Sequence, residues 1–296
     1  MACSPIAVMA MSVVLAATDG DAPARRPPDA PPPDLDRIRL RVPAVPREIW
    51  MEGRAGGVHM PATVAGRTTR ATTIYGTLAW SMALARWLAP YGSHTIAGYR
   101  AANVALQGSE HEVGLAIGIL DGHVGGRPAR GFIDLHGATH VIKRSWVDGR
   151  LFKLGGLWDT VAGLGLAFEH RLRRHLRLGW HLGGRWVWVF TSTQRQLRAG
   201  LRLEGEPRPG HVLGAMVTGY LIHRDARQFG RRLPRVGGVA HAELRYGYLV
   251  RRRLGPVVRL RYSTGFRSGE APVYEVRAET LTTHYADLWV GIAAAF

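Results

Sequence analysis

Arginine and histidine dominate the reactive side chains of this 296-residue chain: Lys and Arg total 39, of which only Lys143 and Lys153 are lysine, and there are 13 His but a single Cys, Cys3. The ionisable residues are spaced in an orderly way. Arg177, His181 and Arg185 share the same parity in one segment, Arg198, Arg202 and Glu204 in the next, and His241, Glu243 and Arg245, then Arg259 and Arg261, then Asp287, continue the pattern. Period two is the strand period, so each group lies on one face of a strand. Counted on these segments, seven arginines face three acids, a surplus of four cations, and a cationic face of this kind draws anions. Paired Arg and Glu can instead fill a closed interior with satisfied hydrogen bonds. The surplus left after pairing then calls for water or counter-ions.

Other chemistries lack their parts. His123, His136 and His140 are near one another in sequence, but His136 and His140 are about 13 Å apart on a strand and no third ligand is in view, so no metal site is expected. The glycines from Gly122 to Gly126 are not followed by Gly-Lys-Ser/Thr, and Gly163-Leu164-Gly165 reads as strand, so no nucleotide cofactor is expected either. One cysteine permits neither a disulfide framework nor a thiolate cluster. The formal charge of +17 is nearly all arginine, as GC-rich coding produces, and is not read as a nucleic-acid signal.

The elements that position these residues alternate greasy and polar. Leu176, Leu178, Trp180, Leu182, Trp186, Trp188 and Phe190 oppose the cationic face of their segment over about 50 Å, longer than the usual soluble strand. A strand crossing a tilted barrel wall fits better. With Ala162 to Phe168 it forms a hairpin through the basic turn Arg171 to Arg174. The same grammar recurs at Leu197 to Leu203, Val212 to Ile222, Gly238 to Val250 and Val258 to Phe266. It closes on Ala286, Leu288, Val290, Ile292, Ala294 and Phe296. Further strands are placed near 48–59, 71–87, 95–106, 111–120 and 129–136, twelve in all. Ala71 to Leu88, stopped by Pro90, also reads as a helix, in which case ten strands remain.

Connectors counted back from Phe296 alternate long and short, as a barrel with short turns on one rim requires: 267–283 long, 251–255 short, 223–234 long, 205–210 short, with 191–194 the exception and 137–158 another long one. Trp50, Trp80, Trp180, Trp186, Trp188, Tyr220, Tyr246, Tyr248 and Tyr262 fall on the outer register and Trp289 on the inner.

The last strand, with its terminal Phe296, resembles the C-terminal strand of Gram-negative outer-membrane β-barrels. That resemblance implies an all-β, transmembrane, antiparallel up-and-down barrel over residues 47–296, with Phe296 as the signal read by the barrel-assembly machinery. It also implies the cell outer membrane as location and its lipid and lipopolysaccharide as surroundings. Upstream, the apolar run from Ile6 to Ala17 is expected to be the core of a signal peptide over residues 1–22, although no basic residue precedes it. Eight prolines between Pro23 and Pro46 mark a periplasmic tail or linker. Lipid-hydrolysing enzymes of this class use His-x-Ser followed by Asn. No His-x-Ser occurs here and Asn103 is the only asparagine, so no enzyme activity is expected. The functional expectation is a porin-like channel for small solutes with anion preference, lined by the twelve residues above. The alternative is a structural or partner-binding barrel without a conducting pore.

Overall fold

Alternating side chains with opposite preferences on the two faces make each segment a wall element with a wet side and a dry side, and only closure removes the unpaired edges that lipid does not tolerate. A computed structural model describes residues 49–64, 67–85, 87–101, 104–147, 149–152, 156–173, 175–189, 192–224, 236–251, 253–265 and 284–295. The expected signal peptide, the proline-rich tail and Phe296 lie outside these residues.

The strands are β1 (Ile49–Val64), β2 (Arg67–Met82), β3 (Leu88–Ala101), β4 (Val104–Val124), β5 (Arg127–Val147), the three-residue β6 (Arg150–Phe152), β7 (Gly156–Arg173), β8 (Leu176–Val189), β9 (Ser192–Arg208), β10 (His211–Arg224), β11 (Val236–Tyr248), β12 (Leu254–Ser263) and β13 (Tyr285–Ala295). Sequential neighbours pair antiparallel. β1 pairs with β13, β4 with β5 and β5 with β7, so twelve strands close into a ring and β6 adds only a short ladder to the end of β5. The expected twelve-stranded barrel is thus the observed one. The segment that also reads as a helix is mostly β2, whose Ile74, Leu78 and Trp80 point outward while Thr73, Tyr75, Thr77 and Ser81 are buried. A neighbouring ladder on each side outweighs weak helix propensity.

One rim is turned by tight connectors. Gly125 and Gly126 both have positive φ, as a two-residue hairpin of the mirror-image type requires, and Pro209-Gly210 joins β9 to β10 with Gly210 at φ 81. At the other rim the expected connectors 223–234 and 267–283 lie largely outside the described residues. The expected long connector 137–158 is corrected: β5 runs on to Val147 and β7 begins at Gly156, so most of it is strand. His140, Lys143 and Arg144 read as loop because polar residues fall on both faces near that rim.

The outer surface is an apolar belt. Leu182, Trp186, Leu201, Leu260, Leu288 and Val290 all point out from the wall and remain exposed, and in lipid that exposure is their burial. Trp80, Trp180, Trp188, Tyr246 and Tyr248 also face outward. The side chain of Trp50 is outside the described residues.

Candidate functional site

All twelve residues expected on the inner face turn inward. His181, Arg185, Arg198, Arg202, Glu204, His241, Glu243, Arg245, Arg259 and Arg261 line a central cavity of about 300 Å³, and Arg177 and Asp287 are buried without lining it. β8 supplies Arg177, His181 and Arg185, β9 Arg198, Arg202 and Glu204, β11 His241, Glu243 and Arg245, β12 Arg259 and Arg261, and β13 Asp287.

The expected surplus of four cations does not survive the full circumference. Six arginines line the cavity, and so do six acids: Glu204 and Glu243, together with Glu110, Glu112, Asp134 and Glu169 from β4, β5 and β7. The sequence count missed those four because their strands carry Gly and Ala at neighbouring inner positions and show little alternation.

Each described carboxylate on the arginine side is engaged. Glu52 of β1 accepts from Arg245 at 2.9 Å and lies 3.6 Å from Arg259, whose other amino group is 3.7 Å from Glu243. Arg245 and Arg259 are direct cross-strand partners, and like charges placed so are tolerable because Glu52 is shared between them. Arg261 holds Asp287 with Nε at 2.9 Å and with Nη2 as well. Trp289, correctly expected inside, lies 5.2 Å from both the Arg259 and the Arg261 guanidinium and meets Tyr75 edge-on at 5.8 Å.

Two arginine arms run around the wall, across neighbouring strands. Arg202 reaches past β8 to Glu169 on β7 at 2.5 Å, and Arg198 passes β8 and β7 to Asp134 on β5 at 2.7 Å, where the Tyr91 hydroxyl donates to the same carboxylate at 2.5 Å. Glycines lie along their course, at distances where a Cβ would make only ordinary contact with the arms. A Cβ on Gly179 would come 3.4 Å from Arg202 Nε, one on Gly183 3.5 Å from Arg198 Nε, and one on Gly165 3.7 Å from its Nη2. Elsewhere the ring of His136 lies over Gly163, His181 over Gly200, Tyr91 over Gly114 and Trp289 over Gly56, each close enough that a Cβ would collide. Large side chains therefore lie flat against the wall rather than across the centre.

The expectation for Tyr220 is corrected. It lines the cavity, its ring tilted against that of His241 at 5.0 Å between centroids, instead of facing lipid. β10 offers little contrast to read: Val212, Gly214, Met216 and Ile222 on the inner register are as apolar as Leu213, Ala215 and Val217 on the outer. His140 is buried between Glu110, 3.3 Å from Nε2, and Asp159 at Nδ1. The two carboxylates engage opposite ring nitrogens, which is a bridging arrangement and not convergence on an ion. Among the described residues there is no group of three or more His, Cys, Asp or Glu placed to hold a metal.

No protein-family model matches the chain, and no curated protein matches it in sequence. Its structure is similar to an outer-membrane channel from Pseudomonas putida F1, with a TM-score of 0.53 at 10% identity over 92% of this chain and 100% of that one. It is also similar to the NanC porin, with a TM-score of 0.52 at 12% identity over 82% of this chain and 98% of that one. At such identities the likeness establishes the fold. The fold is that of outer-membrane β-barrels, and the outer membrane is where a wall with this apolar belt resides.

Proposed function

We propose that this barrel is a porin-like channel for small solutes with a preference for anions. The observation that carries the reading is the central cavity, which Arg185, Arg198, Arg202, Arg245, Arg259 and Arg261 line from one arc of the wall while glycines beneath the long side chains keep its centre clear. Guanidinium groups keep their charge and present several donors in a plane, so an arc of them is a path along which a carboxylate or phosphate exchanges partners. With six acids also lining the cavity, the preference arises from where the cations stand and not from a net excess. The two similar structures, an outer-membrane channel and a porin, are in keeping with this reading.

Single-channel recording across a planar bilayer under a salt gradient tests it. The expected result is conductance with a reversal potential of the anion-selective sign, moved toward zero by Arg185→Gln with Arg259→Gln. A folded barrel that conducts nothing overturns the channel and favours a structural or partner-binding barrel.

The same reading makes the protein no enzyme: phospholipid or lipid A hydrolysis by purified barrel, abolished by one His substitution, would refute that. Phe296 is proposed as the mark recognised by the assembly machinery, and lipopolysaccharide as the lipid against the upper belt.

A further inference from the structure

The rim of short turns carries one open strand edge. β3 pairs with β4 only as far down as Leu88 opposite Ile117, and one further bond runs from the Gly118 N–H to the Trp87 carbonyl. β4 continues to Val124 and turns into β5, so among the described residues its positions 119–124 are laddered to β5 alone. The other edge of that stretch offers backbone donors and acceptors to an added strand. Its side chains are uncovered too, with Ile119 58%, Leu120 42% and Val124 45% exposed.

The two faces of this stretch differ. Asp121 and His123 pair with Arg130 and Pro128, which share the parity of the cavity-lining Phe132, so they hold the inner register. Leu120, Gly122 and Val124 hold the outer one. Asp121 is exposed and lies 3.5 Å from Arg130. A strand that fits here is apolar on its outer side and carries a cation opposite Asp121. The sequence ahead of β1 contains such a run: Arg37, Ile38, Arg39, Leu40, Arg41 and Val42 alternate over six positions, and Pro43 ends the run.

We propose that residues 37–42 dock on this edge as an added antiparallel strand. Val42 stands opposite Leu120, Leu40 opposite Gly122 and Ile38 opposite Val124 on the outer side, with Arg41 opposite Asp121 and Arg39 opposite His123 on the inner. A slip of one residue would set arginines against Leu120 and Val124, so the pattern selects the register. The reach is sufficient. Trp50 is level with Gly114 through Ser81 and Tyr91, and Leu120 lies further down β4. The place opposite Leu120 is then about two strand spacings sideways and about 20 Å down, roughly 22 Å from Trp50. The chain from Val42 to Trp50 extends to about 27 Å. Docked there, the segment closes the open edge against strands of other molecules.

Amide hydrogen exchange of the full-length protein in micelles, read by mass spectrometry, tests the docking independently of conduction. Leu40→Pro removes a donor from the middle of the added strand, and should speed exchange over residues 119–124 about tenfold while leaving β8 as it was. A covalent trap is the second measurement. Leu40→Cys with Gly122→Cys, in a chain that also carries Cys3→Ser, should form a disulfide within one molecule on mild oxidation. Gly122 accepts the side chain, since a Cβ there meets nothing within 4 Å. Exchange over residues 119–124 that Leu40→Pro leaves unchanged overturns the inference. A disulfide found only between two molecules overturns it as well, and would assign the edge to a second copy of the chain.

Discussion

Gly163 of β7 lies directly beneath the imidazole of His136 of β5, its cross-strand partner, and a Cβ at that glycine would run into the ring. The glycine is the floor of the slot that the histidine occupies. Gly163→Ala should therefore lift the ring into the lumen or shift the ladder, at a cost of about 1–3 kcal/mol. The temperature at which the folded band is lost on an unheated gel should fall, and His136→Ala in the same chain should recover most of the loss. No recovery would mean that the clash is with backbone.

The bond between Arg261 and Asp287 joins adjacent strands inside the wall, with Asp287 fully buried. Asp287→Ala leaves the guanidinium beside Trp289 without its carboxylate and should cost about 3–5 kcal/mol. Urea unfolding in micelles should show the midpoint lowered by much more for this variant than for Arg202→Ala, whose side chain sits in a more exposed position. Equal losses would count against this pair, in which two guanidinium donors share one carboxylate oxygen, as a distinct anchor.

Leu182 stands in the middle of the outer face of β8 and is 47% exposed. Leu182→Arg puts a cation into hydrocarbon and should cost about 2–4 kcal/mol, falling to about 0–1 for a cation placed near the rim, as in His211→Arg beside the β9–β10 turn. Folding free energies measured in lipid bilayers check the contrast. Two substitutions of equal cost would place the belt elsewhere on the wall.

Deletion of Phe296 should slow insertion by cells, measured as the rate at which newly made protein gains resistance to heat on a gel. Refolding of the purified chain into detergent, where no assembly machinery acts, should be much less affected. An unchanged rate in cells would remove the residue from that role.

How far the fold and site can be read from the residues depended on contrast between faces. On β8 the contrast is strong, with Leu182 and Trp186 against His181 and Arg185, and both faces came out correctly. On β10 the two registers are equally greasy, and alternation alone puts Tyr220 on the wrong side. The strands from β4 to β7 hide their acids among glycine and alanine, so alternation misses four of the six acids that line the cavity. Alternation gives direction but not reach: that Arg198 of β9 ends on Asp134 of β5, three strands around the ring, shows only once the wall is closed.

Because β1 and β13 pair with Trp50 beside Ala295, the wall has no first strand in space, only in the order of synthesis. A gene permuted to start at Gly126, with a short linker joining the ends near Ile49 and Ala295, would recite the strands from β5 round to β4 and preserve every neighbour but the opened turn. Such a chain should refold in detergent to the same barrel. It would end on Gly125 instead of an aromatic residue, and if cells read the last residue as an address they should fail to deliver it. Geometry and delivery, superimposed in the natural chain, would then be two separable messages written in one sequence.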